Sequence, residues 1–280
     1  MPTSRSRGLG PGLIAMAGGL AINSILGPLV LNVVTYPVTP TMLNQTLGLD
    51  AASLLLVAPL SVATGILAFR RHPAASALAL GPACYTAYMF VQYIVGPSYL
   101  YFPTTLTLHL ALFLLGWVNS VAAWTSVTLP TPERDRGRDQ KLGVLLLLLS
   151  GFILLRYLPA LAGSMRQTPL PLEALGDPAM FWTIFLLDIG IVVPLALSAG
   201  IDLLGKGSVW AWKTGLATIG WFALVSTSVA AMGAVMLIRG DRYATGGTTV
   251  AFAAMALFGI ASAAWVYRPF LHPSTRLDRF

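Results

Sequence analysis

Residues 178–201 read PAMFWTIFLLDIGIVVPLALSAGI. As a helix this run is long enough to cross a hydrocarbon core of about 30 Å. Two of its residues are unusual for such a helix. Asp188 places a carboxylate near the middle, at an insertion cost of at least ~2.5 kcal/mol, so it needs a partner or a task. Pro194 lacks a backbone donor and crowds the turn before it.

The surroundings are of the same kind. The chain has 280 residues, of which 56% are hydrophobic and 10% charged, with a mean hydropathy of +0.76. Soluble domains carry about 25% charged residues, so this composition points to an integral membrane protein. Windows of about 19 residues find apolar spans near 12–35, 49–69, 74–96, 104–127, 142–163, 179–201, 209–238 and 246–267. The expectation is an all-α protein of eight transmembrane helices. No span alternates in the manner of an outer-membrane strand. The N-terminus resembles a signal peptide, but its apolar run continues to Val34 and reads as an uncleaved first helix.

Lys and Arg set the expected orientation. With both termini cytoplasmic, the inner segments hold Arg5, Arg7, Arg70, Arg71, Arg134, Arg136, Arg138, Lys141, Lys206, Lys213, Arg268, Arg276 and Arg279. The outer loops hold Arg166, Arg239 and Arg242. Both termini are therefore expected on the cytoplasmic side of a membrane crossed many times. The formal charge of +7 is spread over helix ends and does not point to nucleic acid.

The two halves of the chain look related. VAPLSVATGIL at 57–67 matches VVPLALSAGID at 192–202 through Val57/Val192, Pro59/Pro194, Leu60/Leu195, Gly65/Gly200 and Ile66/Ile201. One helix earlier, Tyr36 matches Tyr157. The expectation is a tandem repeat, 1–132 and 142–280, joined by a charged cytoplasmic linker at 133–141. In this alignment Ser53 faces Asp188 and Thr35 faces Arg156, so the charges belong to the second half alone.

Helix direction places Arg156, Asp188, His109, Gln92, Tyr88, Tyr93, Tyr36, Tyr157 and Asn32 in one outward depth band, with Asn32 and Tyr36 closing helix one. These are the expected binding residues. Arg156 and Asp188 are expected to pair, since a guanidinium fork suits a carboxylate bidentately. Asn23 and Asn119 read as exceptions in an otherwise apolar cytoplasmic half. The asparagine of NQT at 44–46 and the RGD at 239–241 read as chance motifs.

Some chemistries are disfavoured. The single cysteine, Cys84, excludes an intrachain disulfide and any multi-cysteine cluster. His72 and His272 lie in turns beside prolines, so His109 lacks a second membrane histidine for bis-His haem and no metal set is visible. No phosphate loop, HExxH or GxSxG occurs. No catalytic residues, metal or cofactor are expected.

Three stretches resemble one family. DIGIVVPLALSAGIDLLGKG at 188–207, YTAYMFVQYIVGP at 85–97 and TLGLDAASLLLVAPL at 46–60 are similar to segments of a group of uncharacterised bacterial, actinobacterial-type, eight-helix integral membrane proteins. The resemblance implies the fold and a bacterial cytoplasmic (inner) membrane as the location, and no activity. From the residues themselves, the leading expectation is binding or transport of a small polar or anionic solute. The alternatives are an accessory subunit of a membrane complex, with Gly18, Gly19 and Gly215 allowing close helix approach, and an enzyme or sensor acting on a lipid or quinone at the outer leaflet. Beyond the bilayer and such a ligand, the protein partners are left open.

Overall fold

The computed structural model describes residues 8–100, 103–129, 136–165, 169–170 and 175–271, and of Ser164 the backbone alone. Arg5, Arg7, Arg134, Arg166, His272, Arg276 and Arg279 lie outside the described residues, as does part of the 133–141 linker. Among the described residues eight helices are long and apolar enough to span a membrane. They are α1 Leu9–Leu26, α2 Pro40–Phe69, α3 Ala75–Val95, α4 Thr104–Ser126, α5 Arg136–Met165, α6 Pro178–Gly205, α7 Val209–Ile238 and α8 Gly246–Leu271. Large side chains such as Leu55, Leu148, Leu155 and Leu257 face outward from the bundle. So much exposed apolar surface suits lipid, and the fold is that of a multi-pass membrane protein.

The helices alternate in direction. Leu9 and Leu271 lie at one end of the bundle, called here the terminal end. Arg70, Arg71, Arg136, Arg138, Lys141, Lys206, Lys213 and Arg268 share that end, while Arg239 and Arg242 lie at the distal end. The central helices are α3 and α7. They cross so closely that a Cβ on Gly220 would lie 2.9 Å from the Cα of Gly81. At a second close crossing, a Cβ on Gly48 of α2 would meet the backbone of Met232 in α7. A third joins Gly116 of α4 to Ala87 of α3. Gly18, expected to serve close packing, has nothing within 4 Å of such a Cβ.

The first boundary differs from expectation. Helix α1 stops at Leu26 because Gly27 turns extended and Pro28 cannot continue the ladder. The chain folds back on the helix end, where the amides of Val33 and Val34 donate to the Leu26 carbonyl at 2.9 and 2.8 Å. Helix α2 then starts at Pro40, with Thr39 as its N-cap accepting the Met42 amide at 3.3 Å. Apolar residues 27–35 are therefore a non-helical segment, and α2 begins nine residues before the expected 49.

Both α2 and α6 contain one π turn, Ser53–Val57 and Asp188–Val192. Pro59 and Pro194 each follow by two residues. The Ala58 amide reaches the Ser53 carbonyl, and the Val193 amide reaches that of Asp188. The widened turn relieves the clash between the proline ring and the preceding turn without ending the helix. Another proline is handled differently. Pro269 in α8 frees the carbonyl of Trp265, and Arg138 of α5 donates to it at 3.1 Å.

Two latches hold the distal end. Asp177, just before α6, accepts from the amide and hydroxyl of Thr39. Asp241, between α7 and α8, accepts from Asn44 at 2.9 Å and Thr41 at 3.5 Å. Asn44 and the RGD aspartate, which read as parts of chance motifs, thus bond to each other.

Candidate functional site

Each π-turn helix carries a buried acid. On α6 it is Asp188. On α2 it is Asp50, which falls at the start of the expected span 49–69 and is not among the expected binding residues. The early start of α2 puts Asp50 three turns deep, one turn before Ser53, at 1% exposure. The first half therefore has its own carboxylate, and the charges do not belong to the second half alone.

The polar cluster around Asp50 draws on three helices and the segment after α1. Tyr93 of α3 donates its hydroxyl to Oδ1 at 2.7 Å, and Asn23 of α1 donates its amide to the same oxygen at 3.3 Å. The Asn23 amide also lies 3.4 Å from the Tyr36 hydroxyl. His109 of α4 meets Asn23 Oδ1 through Nε2 at 3.0 Å, which assigns the proton to Nε2. The rings of Tyr36, Tyr93 and Phe90 enclose the imidazole. Gly27 lets the end of α1 approach, since a Cβ there would lie 3.2 Å from Asp50 Oδ2 and 3.3 Å from the Tyr36 hydroxyl. Asn23 thus belongs to the distal polar band, because α1 ends three residues after it. Asp50 Oδ2, His109 Nδ1 and Ser24 Oγ are buried without a hydrogen-bond partner.

Asp188 has a parallel setting. Tyr88 of α3 donates to Oδ1 at 2.7 Å and Tyr157 of α5 donates to Oδ2 at 2.8 Å. Arg156 approaches through one nitrogen, Nη1, at 3.7 Å from Oδ2. The expected bidentate fork is absent. The side chain of Arg156 is 57% exposed and lies over the Tyr157 ring at 5.2 Å. Two tyrosine hydroxyls hold the acid directly, and the guanidinium keeps donors free.

Between the two clusters lies a cavity of about 100 Å³, with room for several waters. Tyr36 and Tyr93 line it on the Asp50 side, Tyr88 and Arg156 on the Asp188 side. Gln92 lines it too, its amide directed to the Met89 thioether at 3.6 Å, a weak acceptor. Gln45, Thr46 and Ser228 add polar groups, and Met42, Met180 and Met232 the apolar remainder. Behind Ser228, Tyr85 bridges Ser228 at 2.8 Å and Ser53 at 3.3 Å.

Eight of the nine expected residues therefore gather about this cavity and its two acids: Arg156, Asp188, His109, Gln92, Tyr88, Tyr93, Tyr36 and Tyr157. Asn32 does not. It is exposed in the turn after α1, with a left-handed φ of 51°. The non-helical course of 27–39 carries it to the surface. Comparison with protein-family models, with curated proteins and with solved structures returns no match.

Sequence reading missed Asp50, Asn23, Gln45, Thr46 and Ser228. A local signal for Asp50 was present, since Thr39–Pro40 is a strong helix start and implies that residue 50 lies within the helix. Among the described residues no three His, Cys, Asp or Glu side chains come together to hold a metal ion.

Proposed function

We propose that this protein binds a small polar solute with an anionic group in the cavity between the Asp50 and Asp188 clusters, and carries it across a bacterial cytoplasmic membrane. The observation that carries the reading is the placement of that cavity. Elements from both halves of the chain line it, next to two proline-interrupted helices, which is a transporter arrangement. Arg156, half exposed with spare donors, is the group that meets the anion. Gln92 and the tyrosine hydroxyls supply neutral hydrogen bonds.

The tandem repeat is part of this proposal. Its support is the common offset of the two π turns, both prolines and the Tyr36/Tyr157 pairing, each tyrosine beside the acid of its own half. The basic residues at the terminal end favour a cytoplasmic side there, which turns the cavity outward. The resemblance to the eight-helix bacterial group agrees with this and adds no activity to it.

Cysteine accessibility tests it. In a Cys84→Ser background, Gln45→Cys and Gln92→Cys should react with a charged methanethiosulfonate in sealed vesicles. Acetate or lactate, the first anions to try, should protect Gln92→Cys in a saturable way, and Arg156→Gln should abolish that protection. If neither cysteine reacts from either side of the membrane, the cavity is closed and the proposal fails.

A further inference from the structure

We propose that the lateral groove between α3, α4, α6 and α7 binds one anionic phospholipid, with its phosphate at Lys213 and one acyl chain running inward to Trp221. The groove has a volume of about 670 Å³ and a mainly apolar wall. It opens sideways, where a protein in a bilayer meets lipid. Along α7 it runs from Trp210 to Trp221 and along α4 from Phe113 to Thr125. At about 1.5 Å per residue these runs are roughly 16–18 Å long, about half of a ~30 Å hydrocarbon core and the depth of one leaflet.

The polar groups follow the order of a phospholipid. At the terminal end, Lys213 donates to the Trp124 carbonyl at 2.9 Å and sits 5.1 Å from the Trp124 ring. An ammonium has three donors, so the lysine holds its place and keeps donors for a phosphate. Thr214 follows, then Thr218 one turn deeper. Both line the groove and are more than nine-tenths buried. Most other helical threonines here, Thr125, Thr183 and Thr227 among them, turn their hydroxyls onto their own helix. Thr214 and Thr218 make no such bond and have no hydrogen-bond partner among the described residues. They stand where the glycerol and ester oxygens of a lipid lie, just beneath its phosphate. Beyond them the wall is indole, alkyl and the ring of Tyr88, fit for a chain.

Charge selects the occupant. The terminal end carries Arg70, Arg71, Lys141 and Lys206 besides Lys213, and a basic face gathers anionic headgroups. This site is separate from the solute cavity. Tyr88, bonded to Asp188, is the wall they share.

The molecule contains its own reporter, since four of its seven tryptophans, Trp117, Trp124, Trp210 and Trp221, line the groove. The protein is reconstituted in vesicles containing brominated phosphatidylglycerol or brominated phosphatidylcholine at equal mole fraction, and indole quenching is read. The expected preference for the anionic lipid is about fivefold, the size of one lysine–headgroup attraction. Lys213→Gln should abolish most of it. Thr218→Val, nearly isosteric and not expected to disturb folding, should reduce quenching by both lipids. Equal quenching by the two headgroups in the wild type, or a preference untouched by Lys213→Gln, would mean annular lipid only and overturns the proposal.

Discussion

Removing the acid that sequence reading overlooked is the most searching perturbation. Asp50→Ala takes the acceptor from the Tyr93 hydroxyl and the Asn23 amide, bonded at 2.7 and 3.3 Å. A buried donor left unpaired costs about 1–3 kcal/mol, before any cavity cost. Tyr93→Phe takes from Asp50 its 2.7 Å hydrogen bond and leaves the longer Asn23 bond, at a similar cost of about 1–3 kcal/mol. The double variant loses both partners together, so its cost should fall short of the sum. Hydrogen bonds between membrane helices average about 0.6 kcal/mol in such cycles and reach about 1.7. The Tyr93–Asp50 bond is short, its acceptor is an acid, and no Lys or Arg among the described residues pairs with Asp50. A coupling of about 1–2 kcal/mol is expected. The control cycle joins Tyr93→Phe with Asp188→Ala across the cavity, and should lie within about 0.5 kcal/mol of zero. Reversible unfolding in bicelles measures the wild type and all five variants. Additivity within that margin in the first cycle, or equal coupling in both, would refute the assignment of Tyr93 to Asp50.

Arg156→Gln should change stability by no more than about 0.5 kcal/mol, because its ion pair is long and half exposed, yet abolish anion protection in the cysteine assay. Gly48→Ala should lower the melting temperature by several degrees. Its Cβ would meet the Met232 backbone, and overpacking costs about 1–3 kcal/mol. Gly18→Ala, with open space around it, should melt like the wild type or slightly higher. For Asp241, in the distal turn outside the spans, partial burial raises the pKa. The Tyr243 amide, Asn44, Thr41 and the nearby Arg242 outweigh this and hold it below the usual carboxylate value. A depressed folded-state pKa stabilises at pH above the unfolded value and is lost as pH falls through the folded one. Acid should therefore destabilise the wild type more than Asp241→Asn, and equal acid slopes in thermal melts would contradict this latch.

Most of the architecture was open to sequence reading because membrane spans are specified by composition over about 20 residues, and composition survives local irregularity. The error at 27–35 has the same origin. An apolar window cannot tell a helix from an extended segment packed on a helix end. Gly27–Pro28 and Thr39–Pro40 mark the true boundaries, but they are single-residue signals inside a strong average. That error had consequences for the site. It put Asn32 inside a helix, placed Asn23 in the wrong half of the bundle, and hid Asp50. Tyr88 and Tyr93 were legible as membrane tyrosines, yet their assignment to different acids was not. Five residues along a helix turn a side chain by about 140°, and only the packing shows which neighbour each direction meets. Arg156 and Asp188 were legible as neighbours. That two phenols would do most of the bonding depended on the course of α3.

The two π turns also bear on the order of events in the history of the chain. A π turn holds one residue more than the α-helical turn it replaces. Ser53–Val57 and Asp188–Val192 hold theirs at the same distance from Pro59 and Pro194. On the tandem-repeat reading, a single ancestral insertion served both copies and preceded the duplication. The acids came to differ afterwards, sitting on the π turn in α6 and one helical turn before it in α2. Deleting Leu55 would undo the older step in one copy only. It would rotate everything from Pro40 to Leu54 by about 100° relative to Pro59 and swing Asp50 away from Tyr93.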